Sequence, residues 1–409
     1  MPSGPGTVAE RSVVGPETVH GPAPPGRHAA RRRGLRGRPP GSACRATPRP
    51  PPPPPRPPAA AADASLDDLD VDLRGLLLRY GDHRGLPELR ELIAADGGRP
   101  LPPDATPLDP ADVLVTAGAA GALFIVATAL LEPGDELVVV RPNYATNLET
   151  PRAIGAEIRI LDLRPEAGWA TDPDALAALM TPRTRLVSIT NPHNPTGALL
   201  PEAALRRIVG IVEAHPTARL LVDETYREMT YGGPLPPVAT LSARAIGVSG
   251  MSKTYGLPGI RTGWLTTRDA ELMTIFLAAK EQIQITGSLV DEAIAARALE
   301  RRAELLPPIL AGIATALGTV RAWLADEPRL AWVEPRGGVV GFPWIRAGAG
   351  IDPDAFHRAL VERHATAVGP GHWFVRPRSF FRLGFGWPPP AELAEGLARI
   401  SRTLDEVAG

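Results

Sequence analysis

From about residue 63 onward, short apolar runs alternate with longer stretches of helical period, and few folds can accommodate that alternation. The candidate strands are DVLV (112–115), ELVVV (136–140), EIRIL (157–161), RLVSIT (185–190), RLLVD (219–223) and AIGVS (245–249). Helical patterns such as GALFIVATALL, PDALAALM and EAALRRIVGIVEAH separate most of them. Apolar strands joined by helical crossovers predict an α/β fold with a mainly parallel sheet covered on both faces. No internal repeat is visible. Beyond residue 268 a long helical stretch leads, from about 305, into a region of different texture that contains WVEPRGGVVGF and SFFRLGFG. The expected organisation is a large domain over 63–304 and a smaller α+β domain over 305–409.

The first sixty residues are a different polymer. They carry ten arginines against two glutamates, a charge of about +8 that leaves about −9 on the rest, and they include PRPPPPPPRPP. Such composition buries too little surface to offset chain entropy, so residues 1–62 are expected to be disordered. A misassigned start or a functionless extension fits this tail better than a nucleic-acid-binding arm, an organelle transit peptide or an export signal around RRRGLRG. The arginines lack the apolar stretch an export signal needs, and no other segment reads as a membrane span. Cys44, the single cysteine, excludes an intramolecular disulfide framework. The globular part reads as cytoplasmic, with neither nucleic acid nor membrane as partner and with no metal site.

Of 44 basic residues only Lys253 and Lys280 are lysines. A chain that does its basic work with arginine keeps an amine where arginine will not serve, because lysine can lose its proton and attack a carbonyl. Lys253, in SGMSKTYGLPGIRTGW, is the candidate for covalent chemistry; Lys280, in FLAAKEQIQ, reads as a solvated helix position.

Ligands of open α/β sheets sit beyond the carboxyl ends of the strands. After DVLV comes TAGAAGAL, whose small residues open a helix with N–H groups suited to a phosphate. After RLVSIT comes NPHNPTG, with two prolines and two asparagines. Asp223 ends an apolar strand, where a carboxylate requires a cationic partner.

NPHNPTG, DETY and SGMSKTYGLPGIRTGW in this order resemble the fold type I pyridoxal-phosphate enzymes of the class I/II aminotransferase family, over roughly residues 78–387. The resemblance implies that Lys253 holds pyridoxal 5'-phosphate as an internal aldimine and that Asp223 pairs with the pyridine nitrogen. It implies that Asn194 and Tyr226 hydrogen-bond the phenolic oxygen and that Tyr144, in RPNYATN, stacks on the ring. Ala119 and Ala120 would give backbone N–H groups to the phosphate, with Ser252 and Arg261 adding side-chain donors. Tyr80, in YGDHRGLPELR, matches the tyrosine that reaches the neighbouring subunit's phosphate, so a homodimer is implied. Arg382, in FFRLGFG, matches the arginine that binds the substrate α-carboxylate, with Asn194 beside it.

The sequence also departs from the family. Only about residues 63–79 are available for the N-terminal arm, His193 occupies a variable position without an assigned role, and Gly250 stands where many members have serine. Transamination between an α-amino acid and a 2-oxo acid is the implied reaction, with Lys253 as general base. The rivals are a lyase, a cyclase acting for example on an arginine derivative, or an oxidase on the same scaffold. A transcription regulator would need a DNA-binding domain that the tail lacks, and an inactive binding protein would not be expected to keep Lys253, Asp223, Asn194 and Arg261 together.

Overall fold

The computed structural model describes residues 69–408. The stretch 1–62, expected to be disordered, lies outside the described residues.

Seven strands form the main sheet: β1 (Val113–Ala117), β2 (Glu136–Arg141), β3 (Glu157–Asp162), β4 (Thr184–Thr190), β5 (Arg219–Asp223), β6 (Ala245–Gly250) and β7 (Thr262–Thr266). Their order is β1-β7-β6-β5-β4-β2-β3. Strands β3, β2, β4, β5 and β6 pair in parallel, as the helical crossovers predict. The side chains of β2 alternate between the two faces. Leu137 and Val139 pack with Leu123, Val126 and Phe276 on one face, and Val138 and Val140 pack with Leu205, Ile208 and Val212 on the other. Both faces are apolar because helices cover both.

Strand β7 was not expected. TGWLT carries two threonines and a glycine and has no apolar run to mark it; it is a strand because β6 and β1 bracket it, both antiparallel. A Cβ on Gly263 would lie 2.4 Å from the carbonyl carbon of Gly118 and 2.5 Å from the nitrogen of Ala119. Only glycine allows the strand to press this closely against the turn after β1.

Three helices, Ala270–Ile283, Leu289–Glu300 and Arg302–Ala325, lead out of the main sheet. Asp269 caps the first, accepting from the backbone N–H groups of Glu271 and Leu272. The expectation that no segment reads as a membrane span needs correction, since Arg302–Ala325 is long and apolar enough by length and composition. Its Ile313, Leu317 and Val320 pack into the C-terminal core, the spacing of a helix with one face turned inward.

Lys280 also corrects the sequence reading. It is fully buried, not solvated, and its Nζ donates to the carbonyl of His83 at 2.5 Å. Burial lowers its pKa, and the nearby Glu292 opposes that shift. Glu292 in turn accepts from the backbone N–H of Leu86, so the segment that covers the lysine comes from about 200 residues earlier in the chain.

The C-terminal region holds β8 (Leu330–Ala331), β9 (Val340–Gly341), β10 (Trp344–Ile345), β11 (Gly369–Pro370) and β12 (Phe381–Gly384), in sheets ordered β11-β12-β9 and β10-β8. Helices Pro353–Glu362 and Pro390–Val407 complete a core around Phe356, Phe381, Leu383 and Ile400. Tyr226 and Met229, just beyond β5, belong to the same core, and so the residues that follow Asp223 join the main sheet to this layer.

Candidate active site

The carboxyl ends of β1, β2, β4, β5 and β6 share one edge of the sheet, and most of the residues predicted for the site collect there. After β1 the helix Gly118–Leu130 begins without a side-chain cap on its first N–H groups, those of Ala119 and Ala120 among them. Arg261 closes this corner. Its Nη1 donates to the carbonyl of Pro258 at 3.0 Å and lies 3.5 Å from Ser252 Oγ. A Cβ on Gly118, where φ is +70°, would meet Arg261 Nη2 at 2.7 Å. Uncapped helix N–H groups, an exposed guanidinium and a hydroxyl make an anion site. Gly250, at the end of β6, pairs with Gly263, and a Cβ there would sit 3.1 Å from Gly263 Cα and from the carbonyl of Thr262. The absent serine hydroxyl therefore goes with the close approach of these two strands.

Lys253 follows β6 and Asp223 ends the neighbouring β5. Asp223 Oδ1 accepts from Thr225 N at 3.1 Å and from Thr225 Oγ1 at 2.6 Å. Burial pushes its carboxyl above the ordinary range, while the Thr225 hydrogen bonds and the Lys253 charge pull it back. The amine and the carboxylate are thus electrostatic neighbours. Across the ladder from Asp223 stands Thr190, whose buried Oγ1 has no protein partner.

Arg382, on β12, reaches the same edge from the C-terminal layer. Its Nη1 donates to Asn194 Oδ1 at 3.2 Å and its guanidinium carbon lies 5.0 Å from the centre of the Phe374 ring, so the cation is held from two sides. Asn194 follows β4 in the NPHNPTG turn. His193 in that turn is buried, with Nδ1 2.7 Å from Thr196 Oγ1, and burial pushes its pKa down to about 4. Tyr144 follows β2, and its N–H donates to Asn143 Oδ1 at 2.7 Å, which fixes the start of its loop. Tyr226 is buried against the C-terminal layer near Gly338. Tyr80 stands apart from this set, exposed at 76% beside exposed Leu77 and Leu78.

Behind Asp223 the next residue turns the other way. Glu224 is buried at a cavity of about 40 Å³ with a mixed polar and apolar lining, which it shares with Ser249, Thr254, Tyr255 and Arg302. A void of that size can hold water. Nearby, Asp96 pairs with Arg227 at 3.0 Å and with Arg302 at 3.1 Å. Burial pushes Glu224 up to about 7, against the pull of Arg227 and of its hydrogen bond from Val238 N–H. A carboxyl raised in this way gives stability that is fully present below its unfolded pKa of about 4.5 and is lost as pH rises through about 7. Glu224→Gln keeps an acceptor for Val238 and removes the titration, so its melting temperature falls less than the parent's between about pH 5 and pH 8. An unchanged pH slope in thermal melts would remove Glu224 from this account.

Sequence reasoning missed Trp387, whose ring centre lies 5.7 Å from Lys253 Nζ. A large aromatic wedged between Gly386 and three prolines was the available signal. It also missed Thr225 and Phe374, which act only through tertiary contact with Asp223 and Arg382.

A family model for aminotransferase class I and II matches residues 54–400. The chain is 35% identical over 337 residues to capreomycidine synthase of Streptomyces vinaceus, covering 81% of this chain and 82% of the relative. It is 32% identical over 334 residues to an arginine–pyruvate transaminase of Pseudomonas aeruginosa, covering 81% and 83%. Among solved structures, a PLP-dependent aminotransferase from Streptococcus suis superimposes with a TM-score of 0.77 at 27% identity, covering 86% of this chain and 93% of the other.

Proposed function

This chain belongs to the class I and II aminotransferase family, and from that premise we propose that it moves an amino group between an α-amino acid and a 2-oxo acid with pyridoxal phosphate held by Lys253. The observation that carries the reading is the meeting of Lys253, Asp223 and the Arg261 corner at one sheet edge. The residues present suit the cofactor. The corner that Gly118 leaves open to the Arg261 guanidinium takes a phosphate, and the carboxyl that burial has pushed up at Asp223 takes a cationic ring nitrogen.

When bound, pyridoxal phosphate supplies an aldehyde for the amine and a protonated ring that accepts the electron pair released at the substrate α-carbon. Ala119 and Ala120 N–H groups, Ser252 and Arg261 would hold the phosphate, with Tyr80 of a second subunit adding to them. Asp223 would keep the ring nitrogen protonated, Asn194 and Tyr226 would hold the phenolic oxygen, and Tyr144 would cover the ring. Arg382, steadied by Asn194 and Phe374, fixes the α-carboxylate in fork geometry. Lys253 Nζ would take the proton from the substrate α-carbon.

In this reading residues 63–304 form the cofactor-binding part and 305–409 the smaller part. The working unit is a cytoplasmic homodimer serving amino-acid biosynthesis, with exposed Leu77, Leu78 and Tyr80 supporting a covered surface. A second reading, a cyclase or lyase on the same scaffold, is favoured by the 35% identity to a relative named as a synthase.

One experiment separates the two. Incubated with a competent amino acid and no oxo acid, an aminotransferase releases one equivalent of oxo acid and stops until an acceptor is added. The relative named for arginine and pyruvate makes those two the first pair to try. Continuous turnover of the amino acid alone would overturn transamination in favour of the second reading.

A further inference from the structure

The segment from Arg382 to Trp387 carries two site contacts five residues apart: Arg382 against Asn194, and Trp387 with its ring centre 5.7 Å from Lys253 Nζ. The chain between them is firmly fixed. Phe385 N–H donates to the Val339 carbonyl at 2.9 Å, and a Cβ on Gly386 would lie 2.4 Å from Val339 Cγ1, so the backbone here is pressed against its neighbour. Beyond the tryptophan, Pro388 and Pro389 lead into the helix Pro390–Val407, whose own Pro390 restricts the first turn. Trp387 is half-buried, with its ring beside the Lys253 amine.

An indole face is electronegative and attracts a cation within about 6 Å of its centre, while it gains nothing from a carboxylate. Here the ring receives the Lys253 ammonium. The ring is thus placed where a cation is favoured, and a cation brought by another molecule suits the same surface.

We propose that Trp387 is the specificity-determining wall of the amino-acid site and that the preferred substrate carries a cationic side chain, a guanidinium or an ammonium, laid over the indole. The assignment rests on the functional reading above in taking Arg382 as the carboxylate anchor. From that anchor the substrate α-carboxylate and its side chain are both read by the one rigid stretch 382–387. An amino acid with an acidic side chain meets a repulsive ring face there, and a neutral one gains only apolar contact.

The test is equilibrium binding to the full-length holoenzyme, followed by the change in cofactor absorbance as arginine, its neutral isostere citrulline, or glutamate is added. The parent is expected to bind arginine at least about tenfold more tightly than citrulline, the scale of a desolvated cation–π contact, and glutamate least. Trp387→Leu should remove most of that arginine-to-citrulline ratio while changing citrulline binding less than about threefold, and Trp387→Phe should restore part of it, since a phenyl face is a weaker cation site. Equal weakening of arginine and citrulline in Trp387→Leu, a parent that prefers glutamate, or a parent indifferent to all three would each overturn the proposal. The absorbance is read in the first phase after mixing, before oxo acid appears, so the ratios report binding whichever reaction follows. Oxo acid release measured on the same samples judges transamination separately, so either idea can fail while the other stands.

Discussion

Lys253→Ala is expected to fold, to remain colourless with pyridoxal phosphate, and to lose activity entirely within detection. A positioned general base is by itself worth about a hundredfold to ten-thousandfold, and this substitution removes the covalent anchor of the cofactor as well. The other lysine offers no rescue, since Lys280 is fully buried with its Nζ committed to the His83 carbonyl. Borohydride reduction of the parent followed by peptide mapping should place the pyridoxyl label on Lys253 alone. A label on Lys280, or near-normal turnover by a folded Lys253→Ala protein, would end the assignment. Circular dichroism and thermal melts of the variant keep a folding defect from being mistaken for a chemical one.

The second large effect is expected at Asp223, where stability and activity should move in opposite directions. Burial raises this carboxyl above its ordinary value, so in the absence of cofactor its ionised form costs stability. The sign follows from linkage: the contribution is fully present below the unfolded pKa of 3.8 and is lost as pH rises through the higher folded value. Asp223→Asn retains an acceptor for Thr225 and no longer ionises. Its apo form should therefore melt at or above the parent near neutral pH, with the difference shrinking in acid. Turnover should fall by about a hundredfold or more, because a ring nitrogen that lacks its carboxylate partner is a poor electron sink. Added cofactor should raise the parent's melting temperature more than the variant's. An Asp223→Asn protein with near-parental turnover would take Asp223 out of the chemistry, and a less stable apo form would mean that the Thr225 pair, not burial, dominates there. Such opposition between stability and function is the ordinary cost of placing a charge where a reaction needs it.

Much of the site could be read in the chain because its parts are local. NPHNPTG, DETY and SGMSKTYGLPGIRTGW each lie just beyond a strand, and strand ends on one edge of a parallel sheet become neighbours once the strand order is set. Apolar runs announced six of the seven strands, and five of them lack alternation because a strand buried on both faces has no polar side to show, whereas the edge strand β3 alternates Ile158, Arg159 and Ile160. What was misread depended on partners distant in sequence. Lys280 sits in a helix, followed by Glu281 and Gln282, and looks solvated until residues 82–86 fold across it. Strand β7 has no apolar pattern, since Gly263 is dictated by the turn it presses on and its buried Thr262 and Thr266 are not apolar.

The sequence by itself determined the strand and helix alternation, the scarcity of lysine and the residue types set at the strand ends, because propensity, periodicity and side-chain chemistry are properties of short stretches. Only the tertiary structure decided that Arg261 closes on Gly118, that Asn194 and Phe374 hold Arg382 from two sides, and that Trp387 lies over Lys253. These contacts join residues from 8 to 188 positions apart, and such pairings are fixed by how whole layers pack, which no local pattern records.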